Sequence, residues 1–154
     1  MAGVTIRRAN PDDAAAVARL LHDFNTEYDD FTPGVEVLTR NAREMLADGH
    51  MIVLLAGEGP DGFAELRFRK SVWTAKLDAY LEELYVVPAL RGEGIGRAIL
   101  REAMDVARAE GASHMDLGTS EDDEAARALY ESEGFDCHEG KGSGPLSLFY
   151  EREL

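Results

Sequence analysis

Leu84-Tyr85-Val86-Val87-Pro88 is an apolar run closed by proline, and Ala89-Leu90-Arg91-Gly92-Glu93-Gly94-Ile95-Gly96 leads from it into an amphipathic helix. No other stretch restricts the chain so strongly. A strand must end at Pro88, which has no N–H to donate to a ladder, and a helix must begin a few residues later. Between them, alternating glycines let consecutive N–H groups point the same way, with no Cβ to keep an anion out. The helix start contributes unpaired donors and partial positive charge. Such a turn is a seat for a polyphosphate, with Arg91 as a cation beside it.

Two familiar phosphate motifs are excluded. The dinucleotide fingerprint needs Gly-x-Gly-x-x-Gly with an acidic residue about twenty positions on; here the third glycine comes one place too early. A P-loop needs Gly-Lys-Ser/Thr, which does not follow. A merely tight turn accounts for one glycine or two, not for three of them with an arginine at a helix start.

At 154 residues the chain has the length of one domain. Its longest clear apolar run, Met51-Ile52-Val53-Leu54-Leu55-Ala56, is far too short to span a bilayer. Residues 1–8 lack the apolar core of a signal peptide, and the single cysteine, Cys137, gives no disulfide framework. These features point to a cytoplasmic protein. The net charge of −14 opposes nonspecific binding to nucleic acid and to anionic membranes, and it favours encounter with cations.

Periodicity gives the order of elements. Val4 to Ala9 alternates as a strand. Asn10-Pro11-Asp12-Asp13 caps a helix carrying Val17, Leu20, Leu21 and Phe24, which breaks at Asp29 to Gly34. Val35, Leu38, Ala42, Met45 and Leu46 mark a second helix ending near Asp48-Gly49. Met51–Ala56, Phe63–Arg69 and Ala79–Val87 read as consecutive strands. The glycine-turn helix follows, closed by Gly111, then a strand over His114–Thr119 and a helix capped at Ser120 and ended by Gly134. Phe135–His138 and Leu146–Glu151 read as two final strands. The chain is therefore of the α/β (α+β) class, ordered β-α-α-β-β-β-α-β-α-β-β. Its mixed central sheet has about seven strands and helices on both faces.

Arg91-Gly92-Glu93-Gly94-Ile95-Gly96 resembles the acetyl-coenzyme A signature Arg/Gln-x-x-Gly-x-Gly/Ala of the GCN5-related N-acetyltransferase (GNAT) family. Ala126-Arg127-Ala128-Leu129-Tyr130-Glu131-Ser132-Glu133-Gly134-Phe135 is similar to its Ala-x-x-Leu-Tyr-x-x-x-Gly-Phe element, and Leu84 to Pro88 to its fourth strand. The resemblance covers nearly the whole chain and implies a single GNAT-like domain over residues 1–154. It implies the pyrophosphate of acetyl-CoA on the amides of Gly92, Glu93, Gly94, Ile95, Gly96 and Arg97, beside Arg91. Main-chain contacts from Leu84, Tyr85 and Val86 would meet the acetyl and pantetheine groups, in a wedge left where the bulged fourth strand splays from the fifth. Where the family often has Asn, this chain has Asp123, which can accept but not donate.

Acetyl transfer to an amine needs the amine deprotonated, the carbonyl polarised and the thiolate given a proton. Tyr130 stands where the family carries its general acid, and a phenol of pKa about 10 keeps its proton at neutral pH. Packing beside Leu129 and Phe135 is the alternative role. Glu82 and Glu83 are candidate bases or anchors for a cationic amine. Neighbours on a regular strand face opposite ways, and a bulge would cancel that parity, so the choice between them stays open. The N–H of Tyr85 or Val86 is the candidate carbonyl polariser. By the resemblance, Tyr28, Asp29, Asp30 and Phe31 line the acceptor wall, with Phe68 and Trp73 as further candidates.

The four histidines share no metal-ligand spacing, so no metal is expected, and Cys137 reads as a small buried residue. The reading is an N-acetyltransferase whose acceptor is a small cationic amine, polyamine-like or aminoglycoside-like. The alternatives are a protein or peptide N-acetyltransferase, a non-catalytic acyl-CoA sensor, and a different nucleotide-binding module. Homodimerisation involving the C-terminal strand is compatible with the resemblance.

Overall fold

The computed structural model describes residues 3–154. They separate into two compact units, one ending at Leu117 and the other running from Gly118 to Leu154.

The first unit is a five-stranded sheet with three helices. In chain order it holds β1 (Ile6–Arg8), α1 (Ala14–Glu27), α2 (Val35–Asp48), β2 (Ile52–Ala56), β3 (Gly62–Lys70), β4 (Leu77–Val86), α3 (Ile95–Ala109) and β5 (Ala112–Leu117). The strands lie in chain order across the sheet. The pairs from β1 to β4 are antiparallel, and β4–β5 is parallel, as its helical crossover requires. The expected mixed sheet with helices on both faces is present.

Alternation along the strands sorts the core into two sides. Val53 and Leu55 of β2, Phe63 of β3 and Tyr85 of β4 pack with Ala14, Val17 and Leu20 of α1 and Ala42 of α2. On the other side, the Ile99 side chain of α3 lies against Gly62, and Ile99, Leu100, Ala103 and Ala107 are buried. The entry to α1 is built by a capping box on the short 3-10 turn Pro11–Asp13: Asn10 Oδ1 accepts from the Asp12 N–H at 2.8 Å and Asp13 from the Asn10 N–H at 2.9 Å.

The second unit holds α4 (Glu124–Ser132). Its N-cap is Asp123 rather than Ser120, because the Asp123 carboxylate accepts from the Ala126 N–H at 3.0 Å. The two expected final strands are not formed. Phe135–His138 and Leu146–Glu151 meet only through one isolated bridge, His138 with Leu146. The sheet accordingly has five strands where about seven are expected. A strand is stabilised by its neighbour's ladder and by a buried face. Leu148, Phe149 and Tyr150 have no such face, Phe149 being 76% exposed. Among the described residues no helix is long and apolar enough to cross a membrane.

Candidate active site

The glycine turn forms as its composition dictates. After Val86 a 3-10 turn, Pro88–Leu90, leads to Arg91. Gly92 and Gly94 take φ of +81° and +83°, which a residue with a Cβ adopts only at a cost. Gly94 is the N-cap of α3 and offers no capping side chain. A helix starting at Ile95 leaves the amides of Ile95 and Gly96 without carbonyls one turn back. Apart from chain neighbours, no atom of the described residues lies within 4 Å of where a Cβ on Gly92 or Gly94 would stand. That cradle of donors suits a pyrophosphate.

Arg91, beside the glycines, is itself partnered. Its guanidinium makes a two-pronged ion pair with Glu27 at the end of α1, Nη1–Oε2 2.7 Å and Nη2–Oε1 2.8 Å. Its Nε donates to the Val86 carbonyl at 2.9 Å, and it lies 5.4 Å from the centroid of the Tyr85 ring. Tyr85 in turn donates its hydroxyl to Glu27 at 3.2 Å. These contacts hold Glu27 below the usual carboxylate range, the Arg91 hydrogen bonds being the largest cause. Arg91 thus ties the turn to the end of α1.

The choice between Glu82 and Glu83 is decided by the β3–β4 register. Glu65 pairs with Glu83 and the next residue, Leu66, pairs with Leu81, so Glu82 is an extra residue in β4. Past this bulge, both glutamates serve the same face. Arg67 Nε lies 3.1 Å from Glu65 Oε2 and 3.3 Å from Glu82 Oε1, which draws the three acids together. Glu65 is 7% exposed, Glu83 half-buried and Glu82 exposed. Burial, then the charges of Glu65, Glu82 and Asp30, push the Glu83 carboxyl up to about 7. A group titrating there is matched to proton transfer at neutral pH.

The same face continues toward β5. Arg67 pairs with Tyr80, Arg69 with Asp78, and Tyr80 with Asp116. Arg69 reaches Asp116 at 3.3 Å and Asp78 at 3.9 Å, while Asp116 Oδ1 is buried with no hydrogen-bond partner among the described residues. Arg67, Phe68, Arg69, Tyr80 and Glu82 line a depression of about 180 Å³ here. Five carboxylates (Glu65, Asp78, Glu82, Glu83, Asp116) thus face two guanidiniums. The pairing of β4 with β5 ends at Leu81–Leu117, so β4 from Glu82 to Val86 has no strand partner on that edge. That free edge joins the acid cluster to the glycine turn.

Known proteins resemble this chain in sequence and in fold. Residues 16–135 match the family described as "Acetyltransferase (GNAT) family". The chain belongs to that family. A solved structure of a candidate acetyltransferase from Arthrobacter sp. FB24 superimposes with a TM-score of 0.91 at 42% identity, over 100% of this chain and 98% of that one. Thialysine N-epsilon-acetyltransferase of Bos taurus is 30% identical, over 96% of this chain and 98% of its own. Aminoglycoside N(6')-acetyltransferase type 1 of Stenotrophomonas maltophilia is 32% identical, over 86% of each chain. Acetyl transfer to nitrogen is accordingly the activity of this GNAT enzyme.

The remaining candidates of this acetyltransferase fall as follows. In the loop after α1, Tyr28 stacks on Phe24 at 5.3 Å and Phe31 is 82% exposed. Asp29 takes a positive φ of 57°, and it is Asp30 whose charge reaches Glu83. Trp73 is 92% exposed on the β3–β4 connection. Tyr130 lies in α4 with its ring 5.9 Å, edge-on, from Phe135. Cys137 is exposed, not buried. His138 lies with its chain neighbours Asp136 and Cys137, their ligand atoms within 4.8 Å of one another.

Glu65, Arg67 and Glu27 carry no weight in a motif search. Glu65 nonetheless leaves a signal. It occupies a core-facing position in the alternation Phe63-Ala64-Glu65-Leu66, where a charge is rare unless paired.

Proposed function

We propose that this N-acetyltransferase uses acetyl-CoA and acetylates a primary amine of a small cationic acceptor by direct attack in a ternary complex. The observation that carries the acceptor class is the excess of carboxylates on the β3–β4–β5 face, including the unpartnered Asp116 Oδ1. An ammonium or polyammonium group completes such a surface, whereas an anionic acceptor is repelled by it. The thialysine and aminoglycoside acetyltransferases among the relatives support the same class.

Bound acetyl-CoA would supply the activated thioester. The amides of Gly92, Glu93, Gly94, Ile95, Gly96 and Arg97 hold its pyrophosphate, and the free edge of β4 at Leu84, Tyr85 and Val86 borders its pantetheine arm. Glu82 anchors the acceptor ammonium, and Tyr28, Asp29, Asp30 and Phe31 close over it. Glu83 removes an ammonium proton: an N–H bond breaks, an O–H bond forms, and the nitrogen lone pair is freed for attack. A base titrating near 7 does this without first being driven from its ionised form. As the C–N bond forms and the C–S bond breaks, Tyr130 would give its phenolic proton to the sulfur and be restored by the second proton that the nitrogen loses, the role its place in the family motif implies.

The test is a panel of polyamines, aminoglycosides, lysine analogues and peptides, read by free thiol release from acetyl-CoA. Cationic small amines should turn over fastest. Reaction with neutral or anionic acceptors alone overturns the acceptor class, and reaction confined to peptides replaces it with a protein acceptor. Calorimetry with coenzyme A against NAD and ATP checks the cofactor separately.

A further inference from the structure

Among the described residues Glu65 is the one charged residue whose side chain is buried, and nothing in packing asks for it. Its neighbours on that face are Phe63 and Arg67, and its opposite residue is Glu83. A buried carboxylate costs several kcal/mol unless paired, so an apolar residue of its size would stabilise the strand more. The pairing that Glu65 does have is through Arg67, which fixes Oε2 from two residues along the same strand, at 3.1 Å. Directly opposed residues on antiparallel strands bring their Cβ atoms to about 5 Å, and like charges so placed repel. The arrangement therefore holds against Glu83 a carboxyl group that burial raises and Arg67 draws back toward its ionised form, at a cost in stability.

We propose that Glu65 is a positioning residue for acetyl transfer, its carboxylate clamped by Arg67 so that it strengthens Glu83 as the proton acceptor. The inference rests on the reading of Glu83 as the base. The groups that face Glu83 are Glu65 from β3, Glu82 from β4 and Asp30 from the loop after α1. Arg67 is the cation that joins two of them. Of the three acids, Glu65 has the largest influence after burial itself. It acts on the reaction only through its neighbour: with Glu65 neutral, Glu83 ionises more easily and holds an abstracted proton less firmly.

The experiment compares wild type, Glu65→Gln and Glu83→Gln. The Glu83 carboxyl is titrated by carbon-13 NMR, which needs no acceptor, and the pH profile of kcat/KM is measured with an acceptor that turns over. In Glu65→Gln the Glu83 midpoint should fall by about one pH unit or more. The acidic limb of kcat/KM should move with it, and Glu65→Asp, which keeps the charge, should return both toward wild type. A purely structural role would lower rates without moving either. An unmoved NMR midpoint in a folded Glu65→Gln protein overturns the inference, whatever Glu83 does. If the midpoint falls but the limb survives in Glu83→Gln, the base reading fails and takes the role of Glu65 with it. Should Glu65→Gln not fold, Glu65→Met, of similar volume and no polar group, gives the same readout.

Discussion

Glu83→Gln should make the protein more stable in mildly alkaline solution. In the folded chain burial, Glu65, Glu82 and Asp30 raise the carboxyl from 4.5 to about 7. The folded state thus binds this proton more tightly than the unfolded state does. Stability from the group is complete below about 4.5 and is lost as the pH rises through about 7, where the charge must be carried half-buried among other acids. The gap between the two values, at about 1.4 kcal/mol per unit, sets a ceiling of about 3 kcal/mol. Solvent still reaches the group, and screening reduces that to about 2 kcal/mol. An amide carries no charge and can donate to Glu65, so the variant recovers this amount at about pH 8.5 and almost none at about pH 4.5. For a chain of this size the thermal midpoint should rise by roughly 4–8 °C at the higher pH. Calorimetric melts of both proteins across that range measure the difference. A variant that is no more stable than wild type at the higher pH, or that gains equally at both, refutes the electrostatic account of this cluster.

Gly94→Ala must place a Cβ at φ +83°, which costs about 1 kcal/mol in urea unfolding and tilts the first turn of α3; coenzyme A affinity by calorimetry should fall at least about tenfold. Tyr130→Phe should lower kcat by about tenfold or more, within the range for general acid catalysis, while sparing coenzyme A affinity; undiminished turnover removes its assigned role. Gly62→Ala pushes a Cβ to 2.8 Å from the Tyr85 carbonyl and 3.0 Å from Ile99 Cδ1. Overpacking between sheet and α3 there should cost about 2 kcal/mol by denaturant titration.

The elements that alternate strongly or cap clearly were legible without coordinates. The helix over Val35 to Asp48, the strands around Gly57–Gly62 and the proline-ended strand before the glycine turn all lie where periodicity and turn chemistry put them. The two final strands failed because local alternation in Leu146–Glu151 says nothing about whether a neighbouring ladder or a covering layer exists. Ser120 and Asp123 are both good caps by type; which one caps α4 depends on where the helix starts, and that is decided by a few backbone angles.

The sequence by itself determined the strand–turn–helix after β4, because Pro88, Gly92 and Gly94 act through their own backbone chemistry. It also brought Glu82 and Glu83 to the end of the adjoining strand. Only the tertiary structure decided what those acids do. One extra residue in β4 turned both to a single face, β3 set Glu65 against Glu83, and Glu27 at the end of α1 took Arg91 in a two-pronged ion pair. Charge interactions depend on distance and burial across strands far apart in the chain, and neither quantity is written in residue order.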